Sequence, residues 1–316
     1  MSGDVPPDPH PALVAAPWRR AATSHRLLDA LGADGRPARF VGGCVRDSLK
    51  GLHRDAWDVD LCTAETPERV LALLARAGIK AIPTGLDHGT VTAVIGEQPF
   101  EITTLRRDVE TDGRHAVVAF TEDFRADAAR RDFTINAMSC DREGRLFDYF
   151  GGLGDLEAGV LRFVGDPQRR IAEDYLRVLR FFRFYARFGE RPPDAATADA
   201  LRAGVAGMDR LSGERVRVEV LKLLDAPDPR AAVAWMDALG VLAWTLAGPV
   251  DRTLFDQLVA LEPAADPLRR LAALLRGAER PDAGALAARL RLSNAEAQRL
   301  ARLVALAPAR LDRADD

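Results

Sequence analysis

A change of pattern near residue 150 constrains the fold of this sequence more than any other feature. From about Ala21 to Asp148, short runs typical of β-strands alternate with short helical runs. From Asp155 onward the strand signals end, and apolar residues recur at helical spacing. The sequence therefore predicts an α+β fold, in which an N-terminal region with a small mixed sheet and helices precedes an all-helical remainder.

The N-terminal region divides into predicted strands and helices. The run "ARFVGG" is typical of a strand that ends in glycines, and "GCVRDSLKG" of the helix after it. "WDVDLCT" predicts the next strand, and Thr66 followed by Pro67 predicts the start of a helix. "GTVTAVIG" and "QPFEITTLR" have strand periodicity and predict a hairpin. The polar segment from Arg106 to His115 has no periodicity and predicts a mobile loop.

Composition and charge exclude several classes of protein. The net charge of −3 leaves no basic footprint over the whole chain, so any nucleic-acid surface must be local. Three cysteines without a CxxC pair favour a reducing compartment, and we expect a cytoplasmic protein. No stretch approaches a membrane span. Residues 1–20 begin proline-rich and lack the apolar segment of a signal peptide, so we expect a disordered leader there.

A glycine pair stands between the first strand and the first helix, in "VGGCVRD". Gly42 and Gly43 allow a tight turn and the close approach of a ligand to the main chain. The helix start that follows suits phosphate, and Arg46 adds a planar group for phosphate oxygens. The alternative is a glycine turn with a surface arginine, and this motif taken alone favours that alternative.

Two aspartates lie two residues apart in "WDVDLCT". On a strand, Asp58 and Asp60 share one face, because side chains alternate. Two carboxylates on one face are typical ligands of hard divalent cations such as Mg²⁺. Glu101, on a later strand, is a candidate third carboxylate, and an exposed strand glutamate is an equally good interpretation. The aspartate pair alone indicates a solvated strand face, whereas a pair that follows a glycine–arginine loop indicates a triphosphate and metal site.

Two further motifs carry candidate ligand-binding residues. In "ARRDFTINAM", Arg131 precedes a short predicted helix, and it is either functional or a solvated neighbour of a helix cap. In "EDYLRVLRFFRF", four charged residues recur three apart on a predicted helix: Asp174, Arg177, Arg180 and Arg183. Three arginines on one track favour a polyanion, and the Asp–Arg pair can offer an acceptor and donors to a base edge. The alternative is an exposed ion pair.

These four motifs, in this order and spacing, resemble those of the class II nucleotidyltransferases, the family of bacterial tRNA CCA-adding enzymes and poly(A) polymerases. The resemblance covers about residues 25–225. It implies that Asp58 and Asp60 bind the catalytic Mg²⁺ ions. It also implies that Gly43 and Arg46 hold the triphosphate of the incoming nucleotide and that Arg131 contacts the nucleotide.

The resemblance assigns roles to the helical region as well. Asp174 and Arg177 would form an amino-acid template that pairs with the base edge of C or A and rejects G and U. Arg180 and Arg183 would reach the phosphates. The segment from Arg106 to His115 would match a flexible loop that helps the switch from C to A addition.

The family architecture implies a head, a neck, a body and a tail. We therefore expect a nucleotidyltransferase head over residues 21–150 and a helical neck that binds base and RNA over residues 151–225. A helical body with a shortened tail would follow over residues 226–316.

The implied activity is the template-independent addition of CCA, from CTP and ATP, to the 3′ end of tRNA by two-metal nucleotidyl transfer. One alternative is a poly(A) polymerase or an enzyme of the same family that adds only CC or only A. Another is a non-catalytic RNA-binding protein with this fold, although a binding protein has no need of two metal-ready aspartates. We expect no DNA and no membrane among the partners.

Overall fold

The computed structural model describes residues 7–52, 57–86, 89–111 and 116–306. Their contacts divide the chain into two compact units. The first comprises Met1–Glu173 with Glu190–Pro193, and the second comprises Asp174–Gly189 with Asp194–Asp316. Every strand that the described residues form belongs to the first unit, and the second unit is helical.

The first unit is built on a mixed seven-stranded sheet with the strand order β3-β4-β5-β2-β1-β8-β9. Strands β2 and β5 pair in parallel, and the other neighbours pair antiparallel. The antiparallel pairing of β4 with β5 confirms the predicted hairpin. The strands of this unit are β1 (Ala38–Val41), β2 (Asp60–Thr63), β3 (Lys80–Gly85), β4 (Thr90–Ile95), β5 (Gln98–Thr104), β6 (Arg106–Thr111), β7 (Ala116–Phe120), β8 (Ser139–Cys140) and β9 (Leu146–Phe147).

Short helices accompany this sheet. They are α1 (Pro11–Ala15), α2 (Pro17–Arg20), α3 (Ala22–Leu31), α4 (Gly43–Leu49), α5 (Pro67–Arg76), α6 (Phe124–Ala129), α7 (Gly152–Glu157) and α8 (Pro167–Glu173). Helix α5 begins as predicted, since the Thr66 side chain accepts a hydrogen bond from the backbone N–H of Arg69. It packs against α3, where Leu27 and Leu31 are buried together with Leu73 of α5.

The predicted disordered leader is wrong from Pro11 onward, where α1 and α2 form. Trp18 is only 2% exposed. Its ring packs edge-on against Phe40, with 4.8 Å between ring centroids, and its Nε1 donates to Ser48 Oγ at 2.9 Å. Contacts with residues distant in the chain hold this segment, and a local reading of the sequence cannot show them. Residues 1–6 lie outside the described residues.

The predicted loop from Arg106 to His115 is wrong over its first half, which forms strand β6. This strand pairs antiparallel with β7, from Arg106 opposite Phe120 to Thr111 opposite Ala116. A register shift interrupts the pairing within β6. Such an irregularity breaks the alternation by which a strand is predicted from sequence. Residues 112–115 lie outside the described residues.

The second unit confirms the predicted all-helical remainder. Its α-helices are α9 (Leu176–Phe188), α10 (Ala195–Gly204), α11 (Gly213–Leu224), α12 (Arg230–Ala238), α13 (Val241–Leu246), α14 (Thr253–Leu261), α15 (Pro267–Arg276), α16 (Ala283–Arg289) and α17 (Asn294–Ala305). Helix α9 packs against α11 and α12, and its Phe181 and Phe182 are fully buried. In the described ranges, no helix has both the length and the apolar character needed to cross a membrane. Residues 307–316, the end of the predicted tail, are not described.

Candidate functional site

The glycine loop turns the chain sharply between β1 and α4. Gly42 has φ 72° and ψ −128°, a backbone conformation that side chains disfavour. A Cβ atom added at Gly42 would lie 3.8 Å from both Arg131 Nη1 and Asp60 Oδ2. Three of the predicted site residues, from separate motifs, therefore surround one small space in the first unit.

The carboxylates meet at the start of β2. This strand begins at Asp60, so the predicted strand is too long at its N-terminal end, and Asp58 lies exposed in the segment just before it. Asp60 is opposite Glu101 in the parallel register of β2 and β5. Paired residues of neighbouring strands project from the same face, so these two carboxylates are neighbours.

Burial, as the largest cause, and the negative charges of Asp58 and Glu101 together raise the pKa of Asp60 from 3.8 to about 7. The positive charge of Arg131 lowers this pKa and only partly offsets the effect. A bound cation would stabilise the ionised form of Asp60, because it would offset both its desolvation and the repulsion by its neighbours.

The donor set fits a hard divalent cation that is shared with a substrate. Mg²⁺ in proteins is commonly bound by one or two carboxylates together with substrate phosphates. Asp58 and Asp60 supply such a pair. Among the residues described, no group of three or more His, Cys, Asp or Glu side chains is arranged to hold a metal ion by itself.

Arg131 is held by a partner that the sequence analysis missed. Its Nη2 lies 3.4 Å from Asp127 Oδ2, and its Nη1 donates to the backbone carbonyl of Asn136 at 3.4 Å. Asp127 is buried and also accepts from Arg130 Nε at 2.8 Å. The spacing of four residues between Asp127 and Arg131 is the signal that could have revealed this pair.

Arg46 is buried, so the alternative of a surface arginine is wrong. Its guanidinium donates to Asp47 Oδ1 at 2.8 and 2.6 Å and to Asn136 Oδ1 at 2.6 Å. Asn136 in turn donates to Asp132 Oδ1 at 3.0 Å. This buried chain of polar groups ties the glycine loop to the segment that carries Arg131. No local signal reveals it, because Arg46 and Asn136 are far apart in sequence.

Thr134 begins a single 3-10 turn, Thr134–Asn136, in place of the predicted short helix. Its hydroxyl donates to Asp155 Oδ2 at 2.7 Å. Asp132 accepts from the backbone N–H of Phe133 at 2.9 Å. The N-cap of this turn is Phe133 and no side chain caps it, so the interpretation of this motif as a helix cap is wrong, while Arg131 extends towards the carboxylates.

The predicted helical track in the second unit is interrupted at its start. Asp174 lies in a break between α8 and α9, because its carboxylate accepts from the backbone N–H of Leu176 at 3.1 Å and forms a local turn. The other Asp174 oxygen accepts from Arg215 Nη2 at 2.6 Å. Arg177 follows one turn later, and its backbone N–H donates to the Asp174 carbonyl at 3.0 Å.

The remaining two arginines of the track share one partner. Arg183 Nε lies 2.8 Å from Glu219 Oε2, and Arg180 Nη1 lies 3.7 Å from Glu219 Oε1. Glu219 is on α11 and is buried. The structure thus places Arg177, Arg180 and Arg183 on α9 and Asp174 just before it, and it adds Arg215 and Glu219 as partners that the sequence analysis missed.

Two family profiles match the chain. The profile described as "Poly A polymerase head domain" matches residues 38–162, and the one described as "Probable RNA and SrmB- binding site of polymerase A" matches residues 193–248. The first range contains the glycine loop, the carboxylates and Arg131.

Named relatives point to the same family. The chain is 44% identical over 218 residues to mouse "CCA tRNA nucleotidyltransferase 1, mitochondrial", an alignment that covers 68% of this chain and 50% of the relative. It is 37% identical over 253 residues to the "CCA-adding enzyme" of Lactobacillus delbrueckii subsp. bulgaricus, covering 74% of this chain and 62% of that protein. The chain thus spans between about half and three fifths of the length of these two relatives.

A solved structure with a similar fold is also named a CCA-adding enzyme. The crystal structure of the Bacillus stearothermophilus CCA-adding enzyme in complex with CTP superposes with a TM-score of 0.74 at 28% identity, covering 88% of this chain and 67% of that one. The chain belongs to the class II nucleotidyltransferase family of CCA-adding enzymes and poly(A) polymerases.

Proposed function

We propose that the protein adds CCA, from CTP and ATP, to the 3′ end of tRNA. The observation that carries this proposal is the convergence of Gly42, Asp60 and Arg131 around one small space in a chain of this family. The names of the relatives, CCA tRNA nucleotidyltransferase and CCA-adding enzyme, support the substrate class.

Asp58 and Asp60 are proposed to hold Mg²⁺, with Glu101 as a neighbouring carboxylate. The raised pKa of Asp60 supports this assignment, because the same negative surroundings that disfavour its ionised form attract a divalent cation. When bound, Mg²⁺ supplies positive charge to the phosphates of the reacting nucleotide. Divalent metal use is a property of the family, and the choice of Mg²⁺ rests on the oxygen ligands.

The glycine loop and Arg131 are proposed to bind the triphosphate. Gly42 and Gly43 leave the main chain open to phosphate oxygens, and Arg131 places its guanidinium beside the loop. Arg46 is buried behind the loop, so we assign it a supporting part: it contributes positive charge and fixes the loop through Asn136. Positioning of this kind supplies much of the rate in phosphoryl-type transfer.

Asp174 and Arg177 are proposed to select the base. Cytosine and adenine both present an exocyclic amino group as a donor, which a carboxylate accepts. The ring nitrogen beside that amino group accepts from a guanidinium. Guanine and uracil present a carbonyl oxygen where the amino group stands, so the carboxylate repels them. Arg180 and Arg183 are proposed to contact phosphates of the nucleotide or the tRNA acceptor end.

We further propose that the protein acts in the cytoplasm. Cys44, Cys62 and Cys140 are all buried and unpaired. Burial raises the pKa of Cys44 and of Cys62 to about 12, which keeps these thiols protonated and unreactive. Unpaired cysteines are typical of a reducing compartment.

The test uses purified protein, Mg²⁺ and a tRNA trimmed of its 3′ CCA. CTP alone, ATP alone and both together are supplied, and product length is resolved on a sequencing gel. We expect two added nucleotides with CTP and a third only when ATP is also present. A long ladder with ATP alone would make the protein a poly(A) polymerase. Addition of only CC or only A from both nucleotides would make it a partial enzyme, and no extension in any lane would leave a binding protein.

A further inference from the structure

We infer that Arg170 is a positioning residue that fixes Arg131 for nucleotide binding through the main chain. The inference rests on the proposed role of Arg131 and extends it to a residue that lies about forty positions further along the chain, on α8. The effect of Arg170 on the reaction would pass through Arg131.

The Arg170 side chain is buried, and its guanidinium contacts main-chain oxygens. The residue is 6% exposed. Its Nη2 donates to the backbone carbonyl of Arg131 at 2.7 Å and also to that of Arg130. Its Nη1 donates to Glu173 Oε2 at 2.5 Å, within α8. One planar group thus connects α8 to two consecutive carbonyls of the segment that carries Arg131.

These two carbonyls lie where α6 ends and its last carbonyls lack helical partners. A cation at such an end satisfies the carbonyls and interacts favourably with the helix dipole. Lysine cannot reproduce this arrangement, because it has a single point of charge instead of a planar fork of donors.

The neighbouring main chain is anchored in the same way. The backbone N–H of Thr134 donates to the Arg162 carbonyl at 3.0 Å, and that of Val164 donates to the Asp132 carbonyl at 3.0 Å. Arg131 thus lies between the end of α6 and the backbone hydrogen bonds of Asp132 and Thr134. Arg170 holds the main chain between these two anchored parts. The direction of its side chain, towards Asp127 and the glycine loop, depends on where its own carbonyl is held.

Arg169 provides a matched control. It is the preceding residue of α8, its side chain is 82% exposed, and it pairs with Glu173 at 3.5 Å. Arg169→Met removes the same charge from the same helix without removing a contact to the Arg131 segment. Arg170→Met keeps an apolar chain in place of the aliphatic part of the buried arginine and removes its charge and donors, and Arg170→Lys keeps the charge.

The experiment measures KM for CTP and kcat on trimmed tRNA for the wild type, Arg169→Met, Arg170→Met, Arg170→Lys, Arg131→Met and the double variant Arg131→Met/Arg170→Met. We expect Arg170→Met to raise KM on the order of tenfold, with a smaller change in kcat. Arg170→Lys should recover little of this loss, and Arg169→Met should match the wild type.

The double variant separates a positioning role from a merely structural one. If Arg170 acts through Arg131, the double variant has the KM of Arg131→Met alone, although its melting temperature still falls. Effects on KM that multiply in the double variant, or an unchanged KM in Arg170→Met, would overturn the inference. Should Arg170→Met fail to fold, Arg170→Lys in both backgrounds gives the same comparison.

Direct binding of CTP by calorimetry keeps this inference distinct from the proposed function. A wild type that binds CTP but does not extend tRNA would refute CCA addition, and the same series of variants would still test Arg170. A wild type that binds no CTP would refute both.

Discussion

The carboxylate cluster at the start of β2 and the arginines of α9 differ in whether their charges are balanced by opposite charges nearby. In the cluster, Asp58, Asp60 and Glu101 are like charges brought together, and the pKa of Asp60 rises to about 7 as a result of burial and this repulsion. On α9, Arg180 and Arg183 face the buried carboxylate of Glu219.

The difference shows what each region requires of a ligand. A cation bound to the carboxylate cluster relieves repulsion that the folded protein otherwise bears. A ligand bound to the α9 arginines, or to Asp174 beside Arg215, must compete with ion pairs that the protein already makes. Under the roles proposed above, binding in the first region would be driven by the attraction of unlike charges, and binding in the second would depend on the exchange of ion-pair partners. Substitutions in the two regions should therefore change stability in opposite directions.

The largest expected effect follows removal of Asp60. Asp60→Ala should lower nucleotide incorporation on the order of a thousandfold or more, because the proposed metal loses a carboxylate ligand. The measurement is single-turnover incorporation of CTP into trimmed tRNA. Rates within a few fold of the wild type would refute the assignment of the cluster as the metal site.

The same position should show a gain in stability. Above about pH 7 the wild-type Asp60 is ionised, which destabilises the folded protein relative to the unfolded chain. Below about pH 4 the side chain is protonated in the folded protein, and this destabilisation is absent. Asp60→Asn should therefore stabilise the metal-free protein by about 1 kcal/mol at pH 8 and hardly at all near pH 4. Urea unfolding at both pH values checks this, and a loss of stability at pH 8 would contradict it.

Removal of Glu219 should have the opposite sign. Glu219→Gln leaves Arg183, whose side chain is only 15% exposed, without its carboxylate, and we expect a loss of about 3 kcal/mol in the free energy of unfolding. The matched control is Asp225→Asn, which breaks the exposed pair of Asp225 with Arg187 and should cost less than about 1 kcal/mol. Equal losses in the two variants would show that the buried ion pair contributes no more to stability than the exposed one.

Local patterns account for much of what could be predicted from sequence. Thr66 starts α5, and the antiparallel pairing of β4 and β5 follows their alternation. Asp58 and Asp60 stood out because two residues of the same kind shared a spacing of two. Each of these signals lies within a few residues of the structure it predicts.

The parts that could not be predicted depend on distant partners. Trp18 is ordered by Phe40 and Ser48, and Arg46 is buried because Asn136 accepts from it. The helix is interrupted at Asp174 by a local turn, but the apolar periodicity continues through this position, so the sequence pattern does not reveal the interruption. Four motifs could therefore be found from sequence, whereas the polar chain that connects two of them required the fold.

The smallest effect is a proton count, and it tests the carboxylate cluster without any catalytic readout. Since the pKa of Asp60 is raised from 3.8 to about 7, the metal-free side chain is mostly protonated near pH 6 and mostly ionised near pH 8. A metal binds the ionised carboxylate, so its binding displaces any proton present. Mg²⁺ binding should thus release close to one proton near pH 6 and far less near pH 8, and its affinity should rise between these values.

Calorimetric titrations of Mg²⁺ binding in two buffers of different ionisation enthalpy give the number of protons released directly. Asp60→Asn serves as the control and should release almost none at either pH. Equal release at both pH values in the wild type would mean that Asp60 does not titrate in this range, and the contrast with the neutralised arginines of α9 would then lose its electrostatic basis.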